Sequence, residues 1–134
     1  TLPGMRMKVE KRDGITWIND AYNANASSMK ALIDLLASSG IPGDQITLCL
    51  GDMLEMGDTG PHWHETVLQQ AAECLPDTRI LAIGSIMACA GQKTGIGKTF
   101  ETVAEARGYL HAHLTPYVAL KASRGMRLEA LTPA

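Results

Sequence analysis

"QITLCLGDMLEMGDTGPHWHETVLQQAAECLPDTRILAIG", residues 45–84, is the stretch on which the fold turns. Residues 46–50 form a short apolar run that ends at Gly51-Asp52, which fits a strand buried on both faces. Trp63, Val67, Ala71 and Leu75 then recur at helical spacing and predict one buried helix face. Residues 80–83 form a second apolar run, closed by Gly84-Ser85. Strand, helix and strand in this order call for a crossover, so the two strands are expected to run parallel.

The same alternation extends both ways along the chain. Upstream, Met5, Met7 and Val9 alternate with Arg6, Lys8 and Glu10, the period of a half-buried strand. Asp13-Gly14 separates this run from residues 15–18, and both residues tolerate positive φ, so the pair predicts an antiparallel hairpin. Met29, Leu32, Ile33 and Leu36 predict a first helix, with Ser27 or Ser28 as its N-cap and "SSGIPGD" as its stop. Downstream, a short helix is expected at 86–91, a short edge strand at "KTF", a helix through Val103, Ala106 and Leu110, a last strand at "YVALK" and a terminal helical turn at "MRLEAL". The expected architecture is a Rossmann-like three-layer α/β domain, mostly parallel, with one antiparallel strand from the N-terminal hairpin.

Composition narrows the function classes. A chain of 134 residues with 46% hydrophobic and 4% aromatic residues supports one aliphatic core. The net charge of −2, with acids and bases interspersed, leaves no basic stripe for nucleic acid or a membrane surface. No apolar run approaches the ~18 residues of a membrane span. Cys49, Cys74 and Cys89 show no C-x-x-C spacing and lie in apolar surroundings, as buried reduced thiols of a cytosolic protein would. The opening "TLPG" reads as a linker, so the chain is expected to be a piece of a longer one.

The polar residues collect where strands end. Residues 16–18 run into Asn19-Asp20, 48–50 into Gly51-Asp52, 81–83 into Gly84-Ser85, and 118–120 into Lys121-Ala122-Ser123-Arg124. In a parallel sheet these ends share one edge, where open α/β sheets bind ligands and helix N-termini favour anions. Two other signals fail. "GQKTGIGKT", residues 91–99, lacks the first glycine of a phosphate-binding loop, because position 92 is Gln92, and it reads as a flexible surface loop. His62 and His64 near Asp52, Glu55 and Asp58 lack a second ligand pair, so they read as loop and helix start, not as a metal site.

Three motifs carry a family resemblance. "INDAYNANASSM", "LGDMLEMG" with a following histidine at His64, and "KASRGMRLE" are similar, in order and spacing, to the patterns "NDAYNANPxSM", "LGDMxELG" and "VKGSRxxxME" of the C-terminal domain of the Mur ligases. The first is most similar to the members that add D-alanyl-D-alanine. The resemblance spans essentially residues 1–134 as a single C-terminal domain of a three-domain enzyme. Ala26 stands in place of the family's proline, which loosens the expected helix start. Ala122 stands in place of a glycine, so a methyl is expected to crowd a substrate or to require negative φ.

The resemblance implies a cytoplasmic, ATP-dependent, amide-bond-forming ligase. ATP phosphorylates the terminal carboxylate of a UDP-MurNAc-tripeptide, and the amine of D-Ala-D-Ala attacks the acyl phosphate, completing a peptidoglycan precursor. ATP and Mg²⁺ are held mainly by the central ATPase domain, over which this domain closes. Asp20 would accept hydrogen bonds from ribose hydroxyls, with Tyr22, Asn23 and Asn25 contacting nucleotide or phosphate, or shaping the closed interface. Ser123 and Arg124, with Gly84 and Ser85, would form the dipeptide side, where an arginine suits a bidentate grip on a carboxylate; Lys121 would either add charge there or only flank the strand. Asp52 and His64 would order the loop between them. The resemblance implies no catalytic acid, base or metal ligand here, and the chain alone is expected to be inactive. Two alternatives stay open: another Mur ligase or a folylpolyglutamate synthase-type ligase, and a non-catalytic Rossmann-like module. A "GxxxxGK[ST]" motif encoded a few hundred residues upstream separates the ligases from the module.

Overall fold

The computed structural model describes residues 7–20 and 24–133. Its sheet has six strands: β1 (Lys8–Arg12), β2 (Ile15–Asn19), β3 (Ile46–Gly51), β4 (Arg79–Ile83), β5 (Lys98–Phe100) and β6 (Tyr117–Lys121). They lie in the order β1-β2-β6-β3-β4-β5, with β1 antiparallel to β2 and every other pair parallel. The four helices are α1 (Ala26–Ala37), α2 (Gly60–Cys74), α3 (Ser85–Thr94) and α4 (Val103–Ala112).

Strand alternation divides the core into two layers. Ile46, Leu48 and Leu50 of β3 pack with Met29 and Ile33 of α1, Val67 and Leu68 of α2, and Met87 of α3. Cys49 points the other way, into a second cluster with Trp17, Leu81 and Leu120, closed by Ala106 and Leu110 of α4 and by Leu128 and Leu131. Three helices therefore cover one face, and α4 with a terminal 3-10 turn at Leu128–Leu131 covers the other. The chain leaves β2 and β3 toward the first face but leaves β6 toward the second. That change of direction opens a crevice at the carboxyl end of β6.

The hairpin forms as expected: Asp13 and Gly14 have φ of 53° and 81°, the two positive values a type I′ turn requires, and Arg12 pairs with Ile15. Several local expectations need correction. Val9 is 63% exposed, because β1 is an edge strand with no helix over Val9. Trp63 is also exposed, edge-on to His62, and the inner face of α2 is His64, Val67, Leu68 and Ala71. Helix α3 is longer than expected and takes in Ser85 and 92–94 as well, so residues 91–99 form a helix end, a left-handed turn at Gly95 and strand β5 instead of a surface loop. Cys49 is buried, and burial pushes its thiol pKa up, but Cys74 and Cys89 are exposed.

Helix α1 is capped differently from the expectation. The Asn25 side chain accepts from Ser28 N at 2.8 Å, and the Ser28 hydroxyl accepts from Asn25 N at 3.0 Å, a reciprocal capping box. Ser28 is thus the third helical residue and Asn25 the cap. This box sets the helix start that a proline at Ala26 would otherwise set.

Candidate functional site

Among the described residues the buried polar or charged side chains are Thr47, Asp52, His64, Lys121 and Ser123. Thr47 lies at the amino end of β3 and meets Thr115. The other four gather at the carboxyl rim, where burying such groups is costly unless each has a partner.

Asp52, just past β3, is 3% exposed, and its Oδ1 accepts from Met87 N at 2.7 Å. It thereby places a carboxylate at the N-terminus of α3, where free amides and the helix dipole stabilise a negative charge. The anion expected at this helix start is thus the protein's own. Gly84 leaves room for it: its φ is +107°, and a Cβ there would lie 2.6 Å from the Asp52 carboxylate.

The loop after Asp52 is held by three hydrogen bonds, two with Ser123 and one with His64. Ser123 N donates to Asp52 O at 3.0 Å, and Leu54 N donates to Ser123 Oγ at 2.8 Å. Met53 N donates to His64 Nε2 at 2.9 Å, so Nε2 is an acceptor and the proton sits on Nδ1, which donates to Gly60 O at 2.5 Å. Of the two residues expected to order this segment, His64 bonds it through Met53 N, whereas the Asp52 carboxylate bonds Met87 N at the start of α3. Ser123, at 5% exposure, staples that loop to the end of β6.

At the next crevice Asp20 directly follows β2. Its N–H donates to Leu120 O at 2.9 Å, and Lys121 Nζ meets its Oδ2 at 2.8 Å. The lysine side chain is 4% exposed and the aspartate 17%. Asn25 is exposed, with its amide oxygen occupied by the α1 cap. The expected roles of Tyr22 and Asn23 lie outside the described residues. Arg124 is exposed at the start of a 3-10 turn, Arg124–Met126, directly after Ser123.

Asp20, Lys121, Ser123, Arg124, Asp52 and Gly84 therefore follow adjacent parallel strands on one rim. Gly84 and Ser85 are set apart from Ser123 and Arg124 by the whole width of β3, with Asp52 bonded to both sides. Ser85 instead opens onto a groove of about 240 Å³ between α2 and α3, lined also by Pro61, Glu65, Ile86, Cys89 and Lys93. Ala122 turns inward: it is fully buried in the second core layer, and its methyl occupies the space opposite Gly51, where a Cβ would approach it to 2.6 Å. The methyl thus fills the core, and Ala122 is not among the residues with positive φ. Neither the Gly51–Ala122 contact nor the Asp20–Lys121 pair, whose members are 101 residues apart, carries a signal in sequence spacing. Among the described residues no group of three His, Cys, Asp or Glu side chains could hold a metal ion.

Comparison with known proteins gives the rim its context. The family model "Mur ligase, glutamate ligase domain" matches residues 5–114. The UDP-N-acetylmuramoyl-tripeptide–D-alanyl-D-alanine ligase of Bacillus subtilis (strain 168) is 37% identical over 141 residues, covering 96% of this chain and 30% of the relative. The ligase of the same name from Escherichia coli (strain K12) is 30% identical over 99 residues, covering 74% of this chain and 21% of the relative. A crystal structure of MurF from Acinetobacter baumannii superposes with a TM-score of 0.79 at 28% identity, covering 98% of this chain and 29% of that one. The chain thus spans less than a third of the length of each of these relatives.

Proposed function

This chain belongs to the Mur ligase glutamate ligase domain family, and from that premise we propose that it is the C-terminal domain of a three-domain ligase that joins D-Ala-D-Ala to UDP-MurNAc-tripeptide. The observation that carries this reading is the gathering of all three family-like motifs on one carboxyl rim. They do so in a chain whose relatives of that activity match it over 96% and 74% of its length.

ATP supplies the phosphoryl group that converts the tripeptide's terminal carboxylate into an acyl phosphate, whose phosphate leaves when the dipeptide amine attacks. In this chain Asp20 offers a carboxylate to ribose hydroxyls, and Tyr22, Asn23 and Asn25 are the further residues assigned to the nucleotide or its phosphates, or to shaping the closed interface. The exposed Arg124, held beside Ser123, takes the dipeptide carboxylate as a bidentate partner, with Gly84 and Ser85 at the margin. His64 holds the loop after Asp52, and the Asp52 carboxylate holds the start of α3. Mg²⁺ is assigned to the central domain by the family resemblance. The rate contribution of this domain is orientation: it closes on the central domain and holds the amine against the acyl phosphate. The enzyme works in the cytoplasm, where ATP and the UDP-linked precursor meet. No described helix is long and apolar enough to cross a membrane.

Substrate profiling of the full-length ligase tests the reading. With ATP and the UDP-MurNAc-tripeptide supplied, D-Ala-D-Ala should be used in preference to meso-diaminopimelate, D-glutamate and L-glutamate. Preference for any of the other three would remove the assignment.

A further inference from the structure

The place of Lys121 in the fold separates it from the acceptor residues with which sequence grouped it. A lysine normally carries its ammonium to water along a flexible stem. Lys121 ends β6 with its side chain only 4% exposed, and its ammonium lies 2.8 Å from Asp20 Oδ2 and 3.4 Å from the Asp20 main-chain carbonyl. The Asp20 N–H is bonded to Leu120 O at 2.9 Å. Asp20 is therefore tied to β6 through its backbone and its side chain together, at the point where the chain leaves β2 for the segment that leads to the Asn25 cap. A carboxylate held by one oxygen keeps the other for a ligand hydroxyl, and a buried, charge-assisted bond fixes its direction far better than an exposed one.

We propose that Lys121 is a positioning residue for nucleotide use: it fixes the Asp20 carboxylate and does not touch the dipeptide. This rests on the reading of Asp20 as the ribose-contacting group. Two other roles make different kinetic demands. A lysine gripping the dipeptide would act on the dipeptide's Michaelis constant. A lysine that only stabilises the fold would act independently of Asp20.

The test is a double-mutant cycle in the full-length ligase, using Lys121→Met, Asp20→Ala and the pair, with ATP and D-Ala-D-Ala varied separately. Lys121→Met should raise the KM for ATP roughly ten-fold, the loss expected of one charge-assisted hydrogen bond, and leave the KM for the dipeptide within about two-fold. The double variant should be no worse for ATP than Asp20→Ala alone, because Lys121 acts through Asp20. Additive losses, or a raised dipeptide constant in Lys121→Met, would overturn the positioning role while leaving the nucleotide role of Asp20 standing. An unchanged KM for ATP in Asp20→Ala would overturn the nucleotide reading itself, and this role with it. Should Lys121→Met fail to fold, Lys121→Arg keeps the charge but misplaces it; a raised KM for ATP at near-native Tm is expected, and an unchanged one overturns the proposal.

Discussion

At Gly84 the backbone and the neighbouring side chain exclude every other residue for separate reasons. Its φ of +107° is one that L side chains rarely adopt, and any Cβ would meet the Asp52 carboxylate at 2.6 Å. Gly84→Ala should cost about 2–4 kcal/mol in chemical denaturation, from strain and from the displaced cap of α3. A loss under about 0.5 kcal/mol would show that the backbone relaxes without harm. Gly51 differs: its φ is ordinary, and only the Ala122 methyl limits it. Gly51→Ala should therefore cost about 1–3 kcal/mol by overpacking, and Ala122→Gly in the same chain should recover most of that loss. Thermal melts of the two single variants and the pair decide it; a pair no more stable than Gly51→Ala would sever the proposed contact. The cysteines give a third check at this scale. Two thiols, Cys74 and Cys89, should react quickly with a thiol reagent on the native protein, and Cys49 only on unfolding. Three fast thiols would contradict the packing of β3.

Helix α1 begins with a box of two reciprocal hydrogen bonds, so Asn25→Ala should destabilise by about 1 kcal/mol while Asn25→Asp stays near wild type. If Asn25→Ala melts like the native protein, the cap carries no weight and the residue is freed for a purely ligand-binding role. The elements themselves were legible because their periods were clean: β3 is buried at every position and α1 buries Met29, Leu32, Ile33 and Leu36 as spaced. The misreadings came where one residue type serves two purposes. Gly91 begins the stretch expected as a loop, yet it lies inside α3, where a Cβ would meet Thr99 at 2.7 Å and Ala82 at 3.3 Å. The glycine is what lets that helix lie close against β4 and β5. Trp63 fits the apolar period of α2, but His64 takes the inner position because Met53 N and Gly60 O supply it with partners. The candidate rim was legible as a set of strand ends. Its internal bonds were not, since Asp20 with Lys121 and Asp52 with Met87 join segments 101 and 35 residues apart.

Across the whole molecule, the sheet brings every strand ending except the hairpin's outer one to a single edge, and the change of direction at β6 opens crevices there. The chain has no intact phosphate-binding loop, because Gln92 stands where the first glycine is required. Purified alone, it should hydrolyse no ATP and ligate no D-Ala-D-Ala; steady turnover by these 134 residues would refute its place as one domain of a larger catalyst. The most direct measurement is hydrogen exchange on the full-length ligase, with and without ATP, UDP-MurNAc-tripeptide and D-Ala-D-Ala together. Ligand-dependent protection should fall on residues 51–56, 84–86 and 121–127 at the carboxyl rim, and the loops at 40–45, 76–78 and 113–116 on the opposite edge should exchange as before. Protection confined to the opposite edge, or none at the rim, would contradict the account.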